Sequence, residues 1–147
     1  MKSRKIKLSI DSDYDNVPLM GAVVNKLCAF ISFSDNDSYA TELCVSEAVV
    51  NCIKHAYGDN PGHEVVVIFC IDKTRLVIEV CDRGASMDPQ LLDKRKHLAL
   101  EFDPEIIETI PESGRGLPII QGFMDAVTYS ISDNMNCLKM TKMLKHN

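Results

Sequence analysis

The chain has 147 residues, 46% of them hydrophobic and 25% charged, and a net charge of −5. That length allows one domain with a sizeable core, and the acidic balance excludes a nucleic-acid binder working through its overall charge. No apolar run approaches the roughly 20 residues of a membrane span, and no apolar stretch follows the basic N-terminal residues, so a cytoplasmic protein without membrane contact is expected.

Residues up to Ile10 alternate polar and apolar, which predicts an edge strand. Lys2 to Lys7 is a short basic segment that reads as a solubilising end. After the polar cluster Asp11–Asn16, Val17–Phe33 reads as a helix whose apolar face carries Met20, Val23, Val24, Leu27, Phe30 and Ile31. Ser34–Ser38 breaks it and offers N-caps for a second helix from about Ser38 to Tyr57. Val45, Val49, Cys52, Ile53 and Ala56 form the buried stripe of that helix, and Gly58–Gly62 stops it.

Glu64–Ile71 is a nearly continuous apolar run, the pattern of a strand covered on both faces, and Asp72-Lys73-Thr74 turns it into a return strand, Arg75–Asp82. A long irregular stretch, Arg83–Ser113, follows. Loops of that length usually have a function. Within it, Asp103-Pro104-Glu105 has the form of a helix start. Gly114 opens another helix reaching Met124, and strands near Ala126–Ser132 and Asn136–Leu144 end the chain. The order β-α-α-β-β-lid-α-β-β predicts an α+β two-layer sandwich with helices on one face. The six cysteines form no CxxC pair and are expected to be reduced, packing as small hydrophobes.

Three segments carry chemistry. On the second helix, Glu47, Asn51, Lys54 and His55 share one stripe. There a carboxylate can take a proton and an amide oxygen can ligate Mg²⁺; a solvated polar face is the competing reading. Asp82 ends the return strand on the same face as Leu76, Ile78 and Val80. It either closes its own turn or accepts from an adenine amino group, which Gly84 would let approach closely. Gly114-Arg115-Gly116-Leu117 suits a phosphate at a helix start, with Arg115 as a charged fork, or is a plain glycine turn. His63, His97 and His146 read as surface residues, Lys94-Arg95-Lys96 as a solvated run, and no serine lies in a nucleophile elbow.

Glu47-Ala48-Val49-Val50-Asn51 with Lys54-His55-Ala56-Tyr57 resembles the N box of GHKL ATPases. Asp82-Arg83-Gly84-Ala85-Ser86-Met87-Asp88-Pro89 resembles their G1 box, and Gly114-Arg115-Gly116-Leu117 their G2 box. Within that superfamily the chain is most similar to the anti-sigma-factor serine kinases (RsbW-like), from about Leu8 to Leu144. The resemblance implies a Bergerat two-layer α/β sandwich with a mostly antiparallel mixed sheet, one domain over 1–147, and an ATP lid at about 84–113. It implies ATP and Mg²⁺ as cofactors, Glu47 as the catalytic base and Asn51 as the metal ligand. Asp82 would read adenine, and Gly84, Asp88 and His55 would lie at the nucleotide. Gly114, Arg115, Gly116 and Leu117 would hold the phosphates. The implied partners are a STAS-domain anti-anti-sigma protein that is phosphorylated, a sigma factor that is sequestered, and a second copy of the chain.

The alternative is an ATP-gated sequestering module of the same fold without transfer. Few residues precede the first strand, so the phosphoacceptor hairpin of sensor histidine kinases is not expected. Two departures from the family pattern stand out: Ala85-Ser86 replaces a glycine of the G1 region, and Asp133-Asn134-Met135-Asn136 lacks one before the last strand. Thr141 is a weaker candidate for an adenine contact through water.

Overall fold

The structure is a computed structural model that describes residues 2–92 and 116–144. Its elements are β1 (Arg4–Asp11), α1 (Asn16–Phe30), α2 (Asp35–Asn51), a π-helical turn (Cys52–Ala56), β2 (Glu64–Ile71), β3 (Arg75–Asp82), α3 (Gly116–Phe123), β4 (Ala126–Ser132) and β5 (Met135–Met143). The strands form one sheet in the order β1-β2-β3-β5-β4. The resemblance implies a mostly antiparallel mixed sheet, and all four of these pairings are antiparallel.

Strand alternation explains how the sheet buries one face. Val65, Val67 and Phe69 of β2, Leu76, Ile78 and Val80 of β3, and Leu138 and Met140 of β5 all join the core. Above them lie Met20, Val24 and Cys28 of α1, Val45 and Val49 of α2, Ile53 of the π turn, and Ile119, Ile120 and Phe123 of α3. Each fully buried Val or Ile contributes about 1.5–3 kcal/mol of hydrophobic stabilisation. α2 is the central helix, packing against α1, α3 and β3.

The helix limits differ from the periodicity in instructive ways. α1 ends at Phe30 because Ser32 turns left-handed, with φ 62°. Phe30 itself is 81% exposed and Val23 is also exposed, so neither belongs to the core stripe expected for that helix. α2 starts three residues before Ser38, where Ser34 caps it by accepting the Asp37 N–H at 3.1 Å; such a cap contributes about 1 kcal/mol. Its α-helical hydrogen bonding gives way at Cys52 to a π turn ending at Ala56. Lys142 closes α3 by donating from Nζ to the Phe123 carbonyl at 2.8 Å.

The missing glycine before β5 has a local explanation. Asp133 and Asn134 take φ of 51° and 60°, so two residues tolerant of the left-handed region form the two-residue hairpin turn. The cysteine expectation fails in part. Cys81 and Cys137 stand opposite each other on β3 and β5 and are joined as a disulfide, whereas Cys28, Cys44, Cys52 and Cys70 are free. Register brings that pair together, and spacing in the sequence does not reveal register.

Candidate functional site

A cavity of about 390 Å³ opens between α2, the π turn, the end of β3 and the start of α3, within the size range of small-molecule sites. Its apolar walls include Ala48, Val80, Leu117 and Leu138, and its polar groups include Asn51, His55, Asp82 and Asp88. Gly116 also lines it. Six residues singled out in the sequence, Asn51, His55, Asp82, Asp88, Gly116 and Leu117, therefore surround one space.

Asp82 is the buried carboxylate of this space, 7% exposed. Such a group is costly unless donors surround it, and here they do. Its Oδ1 accepts from Asn136 Nδ2 at 2.8 Å and from the Gly84 N–H at 3.0 Å. The Cys52 thiol also bonds to it; burial first, then the charge and hydrogen bond of Asp82, hold that thiol well above its ordinary range. The two readings of Asp82 are thus compatible. It closes its own turn through Gly84, and it still faces the cavity.

Glu47 and Asn51 lie one helical turn apart on α2 and meet beside Gly116. A Cβ added at Gly116 would sit 3.2 Å from Glu47 Oε2, 3.5 Å from Asn51 Nδ2 and 3.7 Å from Asn51 Oδ1. Any larger side chain would fill the point toward which this carboxylate and amide converge. The donor set suits a hard cation and phosphate oxygens, with Asn51 Oδ1 as a ligand and the carboxylate close by. Lys54, on the same predicted stripe, is exposed and does not line the cavity.

Gly84 plays a different part from the one its spacing suggested. It packs against the end of the π turn, and a Cβ there would clash with the Ala56 carbonyl, lying 2.6 Å from its carbon. Thr141 alternates with the buried Met140 on β5 and pairs with Val77, which puts it on the sheet face away from the cavity. His63 is exposed and stacks on Tyr57 with ring centroids 4.6 Å apart. Gly114, Arg115, the run Lys94-Arg95-Lys96, His97, Ser113, His146, the Asp103-Pro104-Glu105 helix start and the lid beyond Leu92 lie outside the described residues.

Sequence reasoning missed three side chains. Asn136, 2% exposed, donates to both Asp82 and the Gly84 carbonyl, at 2.8 and 3.0 Å, while its Oδ1 accepts from Ser86 Oγ at 2.7 Å. Tyr57 Oη donates to the Glu64 carbonyl at 2.6 Å and accepts the Arg83 N–H at 2.8 Å. Tyr129, a cavity wall on β4, accepts the Met87 N–H at 2.9 Å. Burial raises the phenols of Tyr57 and Tyr129, so both stay protonated at neutral pH. Only the β3–β5–β4 register connects Asn136 and Tyr129 to the loop after Asp82. Among the described residues, Glu79, Cys81 and Cys137 are the cluster with metal-ligand spacing, but the disulfide occupies two of its donors.

A family model described as the histidine kinase-like ATPase domain matches residues 10–142. The serine-protein kinase RsbW of Bacillus licheniformis is 31% identical, over 95% of this chain and 85% of its own length. The RsbW of Bacillus thuringiensis is 30% identical, over 96% and 86%. Among solved structures, the SiaB–SiaC complex from Pseudomonas aeruginosa contains a similar fold, with a TM-score of 0.62 at 11% identity, covering 93% of this chain and 88% of that one.

Proposed function

Because the chain belongs to the histidine kinase-like ATPase family and, within it, to the RsbW-like serine-protein kinases, we propose that it is an ATP-dependent protein serine kinase and anti-sigma factor. Its substrate is a serine of a STAS-type anti-anti-sigma partner, and its second partner is a sigma factor that it sequesters. It acts as a cytoplasmic homodimer, each copy one ATPase domain with a lid over about 84–113. The observation that carries this reading is the convergence of Glu47 and Asn51 beside Gly116, where Asn51 and Gly116 line the cavity that also holds Asp82 and Glu47 stands just behind them. A module that only binds nucleotide has no use for a carboxylate at that point.

In this reading Asp82 accepts from the adenine amino group, and Asn51 Oδ1 ligates Mg²⁺. The ion, when bound, neutralises charge on the phosphate oxygens. Glu47 takes the proton of the substrate serine as its Oγ bonds to the γ-phosphorus. The bond from that phosphorus to the ADP oxygen breaks, and ADP leaves. Backbone N–H groups at Gly114 to Leu117, with Arg115, hold the phosphates. His55 and Asp88 border the nucleotide, and Gly84, which the resemblance also put there, acts from behind by seating the loop on Ala56.

The test is a calorimetric titration with a non-hydrolysable ATP analogue and Mg²⁺, paired with a phosphorylation assay on a STAS partner. Asn51→Ala should abolish Mg²⁺-dependent binding. Glu47→Ala should bind the analogue yet transfer no phosphate, and normal transfer by that variant would refute the kinase assignment. Binding without transfer by the intact protein would leave the ATP-gated sequestering module as its function.

A further inference from the structure

We propose that Cys81 and Cys137 form a redox-modification site, opened by exchange with dithiol reductants and closed by exchange with disulfide oxidants, whose state sets how tightly the cavity holds a nucleotide. The proposal rests on the nucleotide-binding reading of that cavity.

Cys81 and Cys137 are directly paired residues of β3 and β5, with Cα atoms 4.2 Å apart. That is the close spacing of a non-hydrogen-bonded antiparallel pair. The next rung of the same ladder is Asp82 opposite Asn136. Successive side chains on a strand point to opposite faces. The disulfide therefore lies on the outer face of the sheet, and the Asp82–Asn136 hydrogen bond of 2.8 Å lies one residue away on the cavity face. A covalent bond across one rung fixes the separation and twist of the next.

That rung is also the last one before the chain leaves the sheet, because β3 ends at Asp82. Beyond it the loop is held from the β4–β5 hairpin by side-chain bonds. Asn136 binds the Gly84 carbonyl, Ser86 binds Asn136, and Tyr129 accepts from Met87. All of these depend on where β5 and β4 lie relative to β3. With the disulfide open, the terminal rung is kept only by hydrogen bonds and can fray, which loosens the carboxylate facing the cavity.

Access favours exchange at one sulfur. Cys81 is 1% exposed, whereas Cys137 is half-buried on the outer face, so a reductant reaches it without entering the cavity. A reductant thiolate attacks the Cys137 sulfur, forming a mixed disulfide and releasing Cys81, which takes up a proton. The second thiol of the reductant then attacks its own sulfur in that mixed disulfide and releases Cys137. Two electrons pass to the cysteine pair and the reductant leaves as a disulfide. Of the free cysteines, Cys28, Cys44 and Cys52 are buried, and the half-buried Cys70 stands opposite Val77, four residues from Cys81 along β3. Disulfides in reducing compartments are mostly transient and redox-sensing, which suits a bond at the edge of a ligand site better than one deep in a core.

The test compares affinity for a non-hydrolysable ATP analogue with Mg²⁺ in protein oxidised with glutathione disulfide and in protein reduced with dithiothreitol. Peptide mapping after alkylation verifies each state. The oxidised form should bind at least about threefold more tightly, and Cys137→Ser should bind like the reduced form after either treatment. By linkage, saturating analogue should shift the dithiol–disulfide equilibrium toward the disulfide by the same factor. Equal affinity of the two wild-type forms, or failure of the oxidant to join Cys81 to Cys137, overturns the proposal and leaves the ATP reading intact. No binding by either form removes both.

Discussion

Gly84 lies so close to Ala56 that a Cβ on it would clash with the Ala56 carbonyl oxygen and come within 2.9 Å of the Ala56 Cβ. The same carbonyl accepts the Ala85 N–H at 2.9 Å. The end of the π turn and the start of the loop after β3 are thus in backbone contact, and Asp82 and Asn51 are positioned by two segments that touch here. Gly84→Ala should force one segment away at a cost of about 1–3 kcal/mol, the usual range for overpacking. It should also weaken ATP-analogue binding, because Asp82 is two residues from the contact. Urea unfolding and calorimetry read the two effects, and a variant as stable as the parent would show that this contact yields freely.

Tyr57 ties the same region to the sheet. Its hydroxyl donates to the Glu64 carbonyl at the start of β2 and accepts the Arg83 N–H just past β3, at 2.6 and 2.8 Å. The ring is 8% exposed, so water does not readily replace the lost partner in Tyr57→Phe. Leaving the Arg83 N–H without its acceptor should cost roughly 1–3 kcal/mol. The urea midpoint should fall accordingly while the denaturant slope stays constant. An unchanged midpoint would mean that the loop reorganises to satisfy itself.

These contacts show what was legible in the sequence and what was not. Period and turn chemistry located every strand within a few residues, because alternation in Arg75–Asp82 and the β-branched run at Glu64–Ile71 are local signals. The Glu47–Asn51 pair was legible for the same reason, since both lie on one helix. The π turn was invisible, because its hydrogen-bond shift at Cys52 leaves the apolar spacing of Ile53 almost unchanged. Asn136 and the disulfide were hidden more deeply. Both depend on the β3–β5 register, and a slip of one residue would have faced Cys137 to the cavity and Asn136 to the outside. Gly84 does permit a close backbone approach, as its residue type indicates, but the backbone it meets is the protein's own.

Asn136 should matter to nucleotide affinity through Asp82. It is one of two N–H donors to Asp82 Oδ1, and it also holds Ser86 and the Gly84 carbonyl. Hydrogen bonds to a charged group contribute about 1.5–3 kcal/mol. Part of that should be lost from binding when the carboxylate is free to rotate. Asn136→Ala should therefore weaken ATP-analogue binding about tenfold or more, with a smaller effect on the phosphoryl-transfer rate at saturating ATP. A variant that binds normally and fails only in transfer would place Asn136 in a different role.

The buried thiols predict a loss of stability at alkaline pH. Burial pushes Cys28 up to about 11 and Cys44 up to about 12, from an ordinary value of 9.0. In the unfolded chain both ionise near that ordinary value. Between pH 9 and about 11, therefore, the unfolded chain releases protons that the folded chain keeps, and stability falls as pH rises. Below pH 9 both forms hold the proton and these thiols add no slope. In the affected window each thiol contributes up to about 1.4 kcal/mol per pH unit. Cys44→Ala alters packing at every pH, so the offset of its stability curve does not report on ionisation, but its slope does. Unfolding free energies measured from pH 8 to pH 11 should decline less steeply for that variant than for the parent. Parallel curves would mean that Cys44 ionises in the folded chain as easily as in water, which a thiol with no exposed surface should not do.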